Sequence, residues 1–204
     1  MKFRAPRSHV QVQKVLMPTP EDVEKVRAAI QLKDESDRAK EKRWMTEQGR
    51  THRTIVEIGS EWGDSTRAIA TENSGIVYAV DLWADDMSWD NTGRYSRGGM
   101  VIGHRLEQFK NYVQGCNIEP MQMTSLEAAA IFAAKGVKFD MVFIDASHDY
   151  ASVKEDILAW RPLLVEGGLL SGHDYTSWAG VKKAVDELVP EFTLPAASIW
   201  ATTV

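Results

Sequence analysis

The sequence predicts a doubly wound α/β fold, a mostly parallel sheet with helices on both faces. Two observations carry this. Short apolar runs rich in β-branched and aromatic residues, which read as strands buried on both faces, alternate with stretches of helical spacing from residue 54 onward. Several of these runs also stop abruptly at polar residues. Residues 139–145 end on Asp145 with His148 three positions on, and residues 54–59 run into a glycine-containing turn. Residues 76–81 end on Asp81, and residues 168–174 end on the pair His173-Asp174. Open α/β sheets bind ligands at the carboxyl ends of their strands, so these groups form a candidate active-site rim.

Each element has its own signal. Residues 1–19 are basic and lack a period, which suggests an extended arm. Thr19, Pro20, Glu21 and Asp22 suit a cap, a first turn and the positive end of a helix dipole. The run to about residue 48 is dense in charge, so a solvated helical face is expected. The division is thus an arm and charged helix over 1–50 and a main domain over 51–204. Residues 64–71 read as a helix that Asp64 or Ser65 can cap, and the strand ending at Asp81 follows. Residues 104–114 place Leu106, Phe109 and Val113 on one face, and residues 126–134 do so with Leu126, Ala129, Ala130 and Ala133. Residues 118–121 suit a short edge strand. A helix from about 151 should end at Pro162, and Gly167-Gly168 should turn the chain into the strand leading to Asp174. Val181, Ala184, Val185 and Leu188 repeat at helical spacing. Two short β segments at the tail, split by Pro195, suit a terminal antiparallel pair.

Composition narrows the function. The chain has 204 residues, 44% hydrophobic and 26% charged, which fits an ordinary globular domain. A formal net charge of -5 argues against nucleic acid as the main partner. The single Cys116 allows no internal disulfide and fits a reducing compartment. No apolar run approaches a membrane span, and the N-terminus lacks a signal-peptide core. A cytoplasmic enzyme is the expectation.

The turn Glu57-Ile-Gly59-Ser-Glu-Trp-Gly63 lets backbone approach a ligand closely and offers amides to an anion. Asp81, about 20 residues on, is placed to accept hydrogen bonds from ribose hydroxyls. The tighter G-x-G-x-x-G of pyrophosphate sites is missing. An acid before the glycine suits a ligand with an amino-acid end instead, its carboxylate meeting amides and its ammonium meeting a carboxylate.

The ordered set Val56-Glu57-Ile-Gly59, Val80-Asp81, residues 139–145 and Leu164-Val-Glu-Gly167-Gly168 resembles class I S-adenosylmethionine-dependent methyltransferases over residues 54–204. The resemblance implies a Rossmann-like seven-stranded sheet with an antiparallel last strand. It implies that Glu57, Gly59, Ser60, Gly63 and Ser65 hold the methionine end of the cofactor and that Asp81 holds the ribose. Leu82 and Trp83 would border the adenine, Ser125 would lie on its other side, and Asp145 would also contact the cofactor.

Within that superfamily, residues 143–150 and Gly-His173-Asp174-Tyr resemble small metal-dependent O-methyltransferases. Those acting on natural-product sugars are nearest, and the catechol and caffeoyl-CoA enzymes are more distant. The chemistry agrees with the resemblance. An alcohol is a poor nucleophile until it loses its proton, and a divalent cation or a nearby base promotes that loss. Carboxylates leaving neighbouring strand ends, ~4.8 Å apart, can converge on one cation. Asp145 and Asp174 are the candidates, with His173 as a third ligand, and His148 is the expected general base. The catechol pattern has Asp-Asn where this chain has His173-Asp174-Tyr175, so either Asp174 aligns with the Asp or His173-Asp174 replaces the pair. A histidine ligand leaves room for Mn or Fe beside Mg.

Residues 84–103, with acids, aromatics and glycines, suit a lid against a hydroxylated small-molecule acceptor such as a sugar or polyol. Trp62 and Trp178 could wall the same site. The resemblance also implies a homodimer through the N-terminal helix, which its charge pattern does not demand. Three other readings stay open at this point. They are a nicotinamide-dependent oxidoreductase, a nucleic-acid methyltransferase, and a non-catalytic module that binds S-adenosylmethionine.

Overall fold

Parallel strands dominate because most connections from residue 54 onward pass through helices. The computed structural model describes residues 37–84 and 104–204, with the backbone of Met87–Trp89 and Tyr95–Arg97. The expected arm, the Thr19 cap and most of the 84–103 segment lie outside the described residues. A helix (α1) runs through residues 37–51. The elements that follow are Thr54–Ile58 (β1), Asp64–Ala70 (α2), Ile76–Asp81 (β2), Met87–Trp89 (β3) and Tyr95–Arg97 (β4). Next come Arg105–Tyr112 (α3), Ile118–Gln122 (β5), Ser125–Ala134 (α4), Phe139–Ile144 (β6) and Tyr150–Trp160 (α5). A 3₁₀ turn over Arg161–Leu163 carries Pro162 and leads into Leu164–Gly172 (β7), Ala179–Leu188 (α6), Thr193–Ala196 (β8) and Ile199–Thr203 (β9).

The main sheet has the order β5-β2-β1-β6-β7-β9-β8. The first five strands are mutually parallel, while β9 runs antiparallel to both its neighbours. The chain winds outward from β1 to β5 and then returns to β6 beside β1. That reversal is the switch point at which such sheets open a crevice. Pro195 lies inside β8, where a missing amide is tolerated because β8 is the sheet's edge.

Two apolar layers sandwich the sheet. One contains Phe132, Phe139 and Trp160, with ring centroids 4.9–6.1 Å apart. The other contains Ile55, Ile69, Val77, Met141 and Phe143, and α1 contributes Met45 to it. Full burial of each such side chain contributes about 1.5–3 kcal/mol before entropy is counted. α1 is therefore anchored by an apolar contact inside a run that read as solvated.

Three local expectations need correction. The buried face of α4 is Ala128, Ala129 and Phe132, while Leu126, Ala130 and Ala133 are exposed. Alanine-rich spacing fits several faces, and the aromatic at Phe132 decides the winner by burying the largest area. The glycines at 167–168 do not precede the strand. β7 begins at Leu164 and carries them inside it, at an irregularity in its pairing with β6. Finally, neither Asp64 nor Ser65 caps α2. Its N-cap is Gly63, and Asp64 instead accepts a hydrogen bond from the Tyr112 hydroxyl at 2.7 Å.

Candidate active site

Backbone ladders that continue one residue past the strands fix the rim. The Gly59 amide donates to Val80 O at 2.8 Å, the Asp145 amide to Ile58 O at 2.7 Å, and the His173 amide to Ile144 O at 3.0 Å. Neighbouring strand ends are thereby locked side by side above the switch point. A cleft of about 580 Å³ opens there. Gly59, Ser60, Gly63, Ser65, Asp81, Leu82, Ser125, Asp145, His148, His173 and Asp174 all line it.

At the glycine turn, Gly59 has φ +88° and Gly63 φ +90°, where a side chain would be strained. A Cβ at Gly59 would also lie 2.1 Å from the Asp145 carbonyl oxygen. Glu57 lies beneath the turn and is fully buried. Its Oε2 accepts from the Thr66 hydroxyl, while its Oε1 and the buried Ser60 hydroxyl have no hydrogen-bond partner of good geometry among the described residues. Buried polar atoms are rarely left so. Two such atoms under the turn are what an amino-acid end would satisfy.

Burial pushes Glu57 up to about 7; the hydroxyls of Ser65, Thr66 and Ser60 oppose the rise and Asp145 adds to it. The ordinary value is 4.5, so between pH 4.5 and 7 the folded state holds a proton that the unfolded state has released. The stability this group contributes is full below pH 4.5 and is lost as pH rises through about 7, a change of about 3 kcal/mol. Glu57→Gln should flatten the fall in unfolding free energy across that window. Urea titrations at pH 5 and pH 8 check it, and parallel wild-type and variant profiles would contradict it.

Asp81 receives the Glu61 amide on Oδ2 at 3.0 Å and the Trp83 amide on Oδ1 at 2.7 Å. Burial raises its pKa against these bonds. Each oxygen retains a lone pair for a ligand hydroxyl. Trp83, expected to border the adenine, does not line the cleft. It is 3% exposed, packs against Phe109 with ring centroids 4.6 Å apart and planes tilted by 45°, and donates its indole N–H to Glu61 O at 2.8 Å.

The chemical cluster lies where β6 and β7 end. His148 Nε2 lies 2.7 Å from Asp174 Oδ2 and 3.8 Å from Asp145 Oδ1. Trp178 stacks on the imidazole at 5.1 Å with rings 11° from parallel. Burial alone would lower the His148 pKa, but Asp145 and Asp174 outweigh it and hold it at about 9. Asp174 sits at φ +64°, a strained conformation for a non-glycine residue. It opens a tight turn in which the Ser177 and Trp178 amides donate to its carbonyl at 3.1 Å. Asp149 caps α5 by accepting from the Ser152 amide, so Asp145 is not needed as a cap. Asp140 accepts from the Arg53 and Thr54 amides at the other end of the sheet.

His173 Nδ1 faces Asp174 at 3.4 Å and Asp145 at 3.9 Å, while Nε2 contacts Glu41 Oε1 at 3.0 Å. Burial opposes protonation of His173, yet Asp174, Glu41 and Asp145 push it up to about 11. Glu41 also accepts from the Ser198 amide at 3.1 Å, so α1 reaches this cluster. Nothing in its charged run singled Glu41 out. Glu61, which lines the cleft and faces Arg105 at 3.9 Å, was hidden in the turn. Asp156 had a readable signal, because it is a carboxylate on the apolar stripe Val153, Ile157, Trp160 of α5.

A methyltransferase-domain family matches residues 56–175, more than half of the chain. No curated protein matches it by sequence. Among solved structures, CalS11, a calicheamicin methyltransferase, aligns over 97% of this chain and 99% of its own with a TM-score of 0.67 at 12% identity. The O-methyltransferase NovP aligns over 82% and 79% at TM-score 0.55 and 17% identity. An O-methyltransferase from Bacillus cereus in complex with SAH aligns over 93% and 94% at 0.53 and 19%. At these identities the structures establish a shared fold. Together with the family match and the strand order around the cleft, they place the chain in the methyltransferase-domain family, as a class I S-adenosylmethionine-dependent methyltransferase.

Proposed function

We propose that the protein is an O-methyltransferase that carries the methyl group of S-adenosylmethionine to a hydroxyl of a small molecule, with His148 as general base. The observation that carries this reading is the 2.7 Å contact between His148 Nε2 and Asp174 on the wall of the cofactor cleft. A sugar or polyol acceptor fits the resemblance to natural-product enzymes, and CalS11 is itself a TDP-rhamnose 3'-O-methyltransferase.

S-adenosylmethionine supplies an electrophilic methyl group on a sulfonium. Glu57, beneath the turn, would hold its ammonium, the glycine turn its carboxylate, and Asp81 its ribose hydroxyls. His148 takes the acceptor's hydroxyl proton on its imidazole. Bound S-adenosylmethionine would supply the methyl group to that oxygen, its C–S bond breaking as the C–O bond forms, and would leave a methyl ether and S-adenosylhomocysteine. The proton stays on His148, where Asp174 stabilises the imidazolium.

The donor set also suits a divalent cation: Asp145, His148 and Asp174 each offer a ligand atom, all within 4.8 Å of one another. Two carboxylates and an imidazole accept Mg, Mn or Fe. A cation held by Asp145 and Asp174, with His173 Nδ1 as the third donor, would lower the pKa of an acceptor hydroxyl touching it. A second reading has its own support in that cluster, with His148 as ligand in place of base. Metal titration of the His148→Ala variant separates the two, since only the second loses the metal response with the imidazole.

Thermal melts with S-adenosylhomocysteine, with and without Mg, and with NADH as control test the proposal. A hundredfold excess over the dissociation constant should stabilise by about 2.7 kcal/mol and raise the melting point by roughly 5–10 °C. NADH should give no shift. A flat response to S-adenosylhomocysteine would remove the cofactor reading. Full turnover after chelation would remove the metal alone, and binding without turnover across a panel of hydroxylated acceptors would favour a non-catalytic module. Among the described residues no helix is long and apolar enough to cross a membrane.

A further inference from the structure

Three residues between the end of β7 and the first turn of α6 are locally unfavourable choices, and all three face His148. Asp174 holds φ +64° without being glycine. Trp178 is the N-cap of α6, a position that favours a short side chain able to accept an amide bond. An indole can only donate, and no side-chain cap is made. Gly180 lies in the first turn of α6, and glycine weakens a helix relative to alanine. Local costs gathered in one place mark a function that the rest of the fold supports.

Each choice gives His148 a contact that the locally preferred residue would not. Asp174 Oδ2 meets its Nε2 at 2.7 Å. The Trp178 indole lies 11° from parallel to the imidazole, with centroids 5.1 Å apart. A Cβ at Gly180 would lie 2.3 Å from the His148 carbonyl oxygen and 2.7 Å from the Tyr150 amide nitrogen, so glycine is what admits α6 this closely. The Ser177 and Trp178 amides both donate to Asp174 O, which ties carboxylate and indole into one turn. The two side-chain contacts restrain different motions. A contact at Nε2 fixes one atom and leaves the ring free to swing about it, whereas a parallel stack fixes the ring plane. The lone pair of an imidazole lies in that plane, so the direction in which His148 takes a proton depends on both. Trp178 does not line the cleft, so it backs the imidazole and leaves the ligand space clear.

We propose that Trp178 is a positioning residue for His148: its indole sets the plane of the imidazole, and Gly180 admits α6 to the distance that the stack requires. The proposal rests on the reading of His148 as general base given above. Trp178 also packs against the apolar layer beneath it, a role that any bulky apolar residue could fill. Holding a ring in plane needs a flat face, which phenylalanine keeps and leucine does not.

NMR of histidine-labelled protein and initial rates with S-adenosylmethionine and the panel of hydroxylated acceptors test this together. The His148 ring signals, identified by their loss in His148→Ala, should lie upfield in the wild type through the indole ring current and move back in Trp178→Leu. Trp178→Leu should also lower kcat about 10- to 100-fold, with the KM for S-adenosylmethionine within about threefold of wild type. Trp178→Phe should recover kcat to within about threefold of wild type, because the flat face is kept. In a His148→Ala background Trp178→Leu should change turnover by no more than about twofold, since an absent ring cannot be misplaced. Unmoved His148 signals in the Leu variant would overturn the proposal. Equal losses in the Leu and Phe variants would do so too, as would a Leu loss of the same size with and without His148. Gly180→Ala, which pushes α6 off His148, should reproduce the loss and its dependence on His148, and it decides the matter where Trp178→Leu fails to fold. Turnover indifferent to Trp178 sinks this inference alone, whereas binding of S-adenosylhomocysteine without turnover on any acceptor removes the base and the inference together.

Discussion

His148→Ala should bind S-adenosylhomocysteine within about threefold of wild type yet turn over about 10²- to 10⁴-fold more slowly, the usual contribution of a positioned base. The separation is expected from the geometry. The glycine turn and Asp81 belong to β1 and β2, while His148 follows β6 and is braced by Asp174 and Trp178. The pH profile carries the sharper signature. With His148 held at about 9, its base form is scarce at neutral pH, so turnover should climb with pH until about 9. Asp174→Asn removes a negative charge that stabilises the imidazolium, so the His148 pKa falls and the climb begins at lower pH. Asparagine tolerates the left-handed backbone at this position, which keeps the turn intact. If the variant's pH profile superposes on that of the wild type, His148 is not the group being titrated. Retention of full turnover in His148→Ala would end its role as base altogether.

The parts of this site that could be read from the sequence share a physical cause. Buried parallel strands need apolar, β-branched runs, and their carboxyl ends need polar residues, so Glu57, Asp81, Asp145 and Asp174 stand out by contrast with their neighbours. The edge strand β5 and the reversed β9 were readable for a similar reason, since each is short and bounded by turn residues. Contrast fails where the surroundings are already polar. Glu41 lies in a run where nearly every side chain could be solvated, and only the fold shows that it reaches His173 and Ser198. Trp83 shows the converse. Its neighbour Asp81 has a clear position, but an indole one turn further can face either the cleft or Phe109, and local pattern does not distinguish them. Asp156 falls between these cases. A lone acid on the apolar stripe of α5 was visible, but its connection to Ser125 runs through the contact between α4 and α5.

Gly59→Ala should cost more than Gly115→Ala, which supplies the control. Both glycines have φ +88°, so both variants impose the same left-handed backbone on an alanine, at about 1–2 kcal/mol. A Cβ at Gly115 meets nothing within 4 Å, whereas at Gly59 it would lie 2.1 Å from the Asp145 carbonyl oxygen and 2.5 Å from the Ala146 Cα. Both obstacles are backbone and cannot swing aside. Relief requires the end of β1 to part from the end of β6, which strains the bond from the Asp145 amide to Ile58 O. That bond joins the cofactor turn to the strand bearing Asp145. Gly59→Ala should therefore lose about 3–5 kcal/mol, roughly 10–15 °C in melting temperature, while Gly115→Ala loses only a few degrees. Binding of S-adenosylhomocysteine to Gly59→Ala, measured well below its melting point, should weaken at least tenfold. Equal melting temperatures for the two variants would mean that the turn can retreat from β6 without cost. Undiminished affinity in Gly59→Ala would show that the close approach of these two strand ends does not shape the cofactor site.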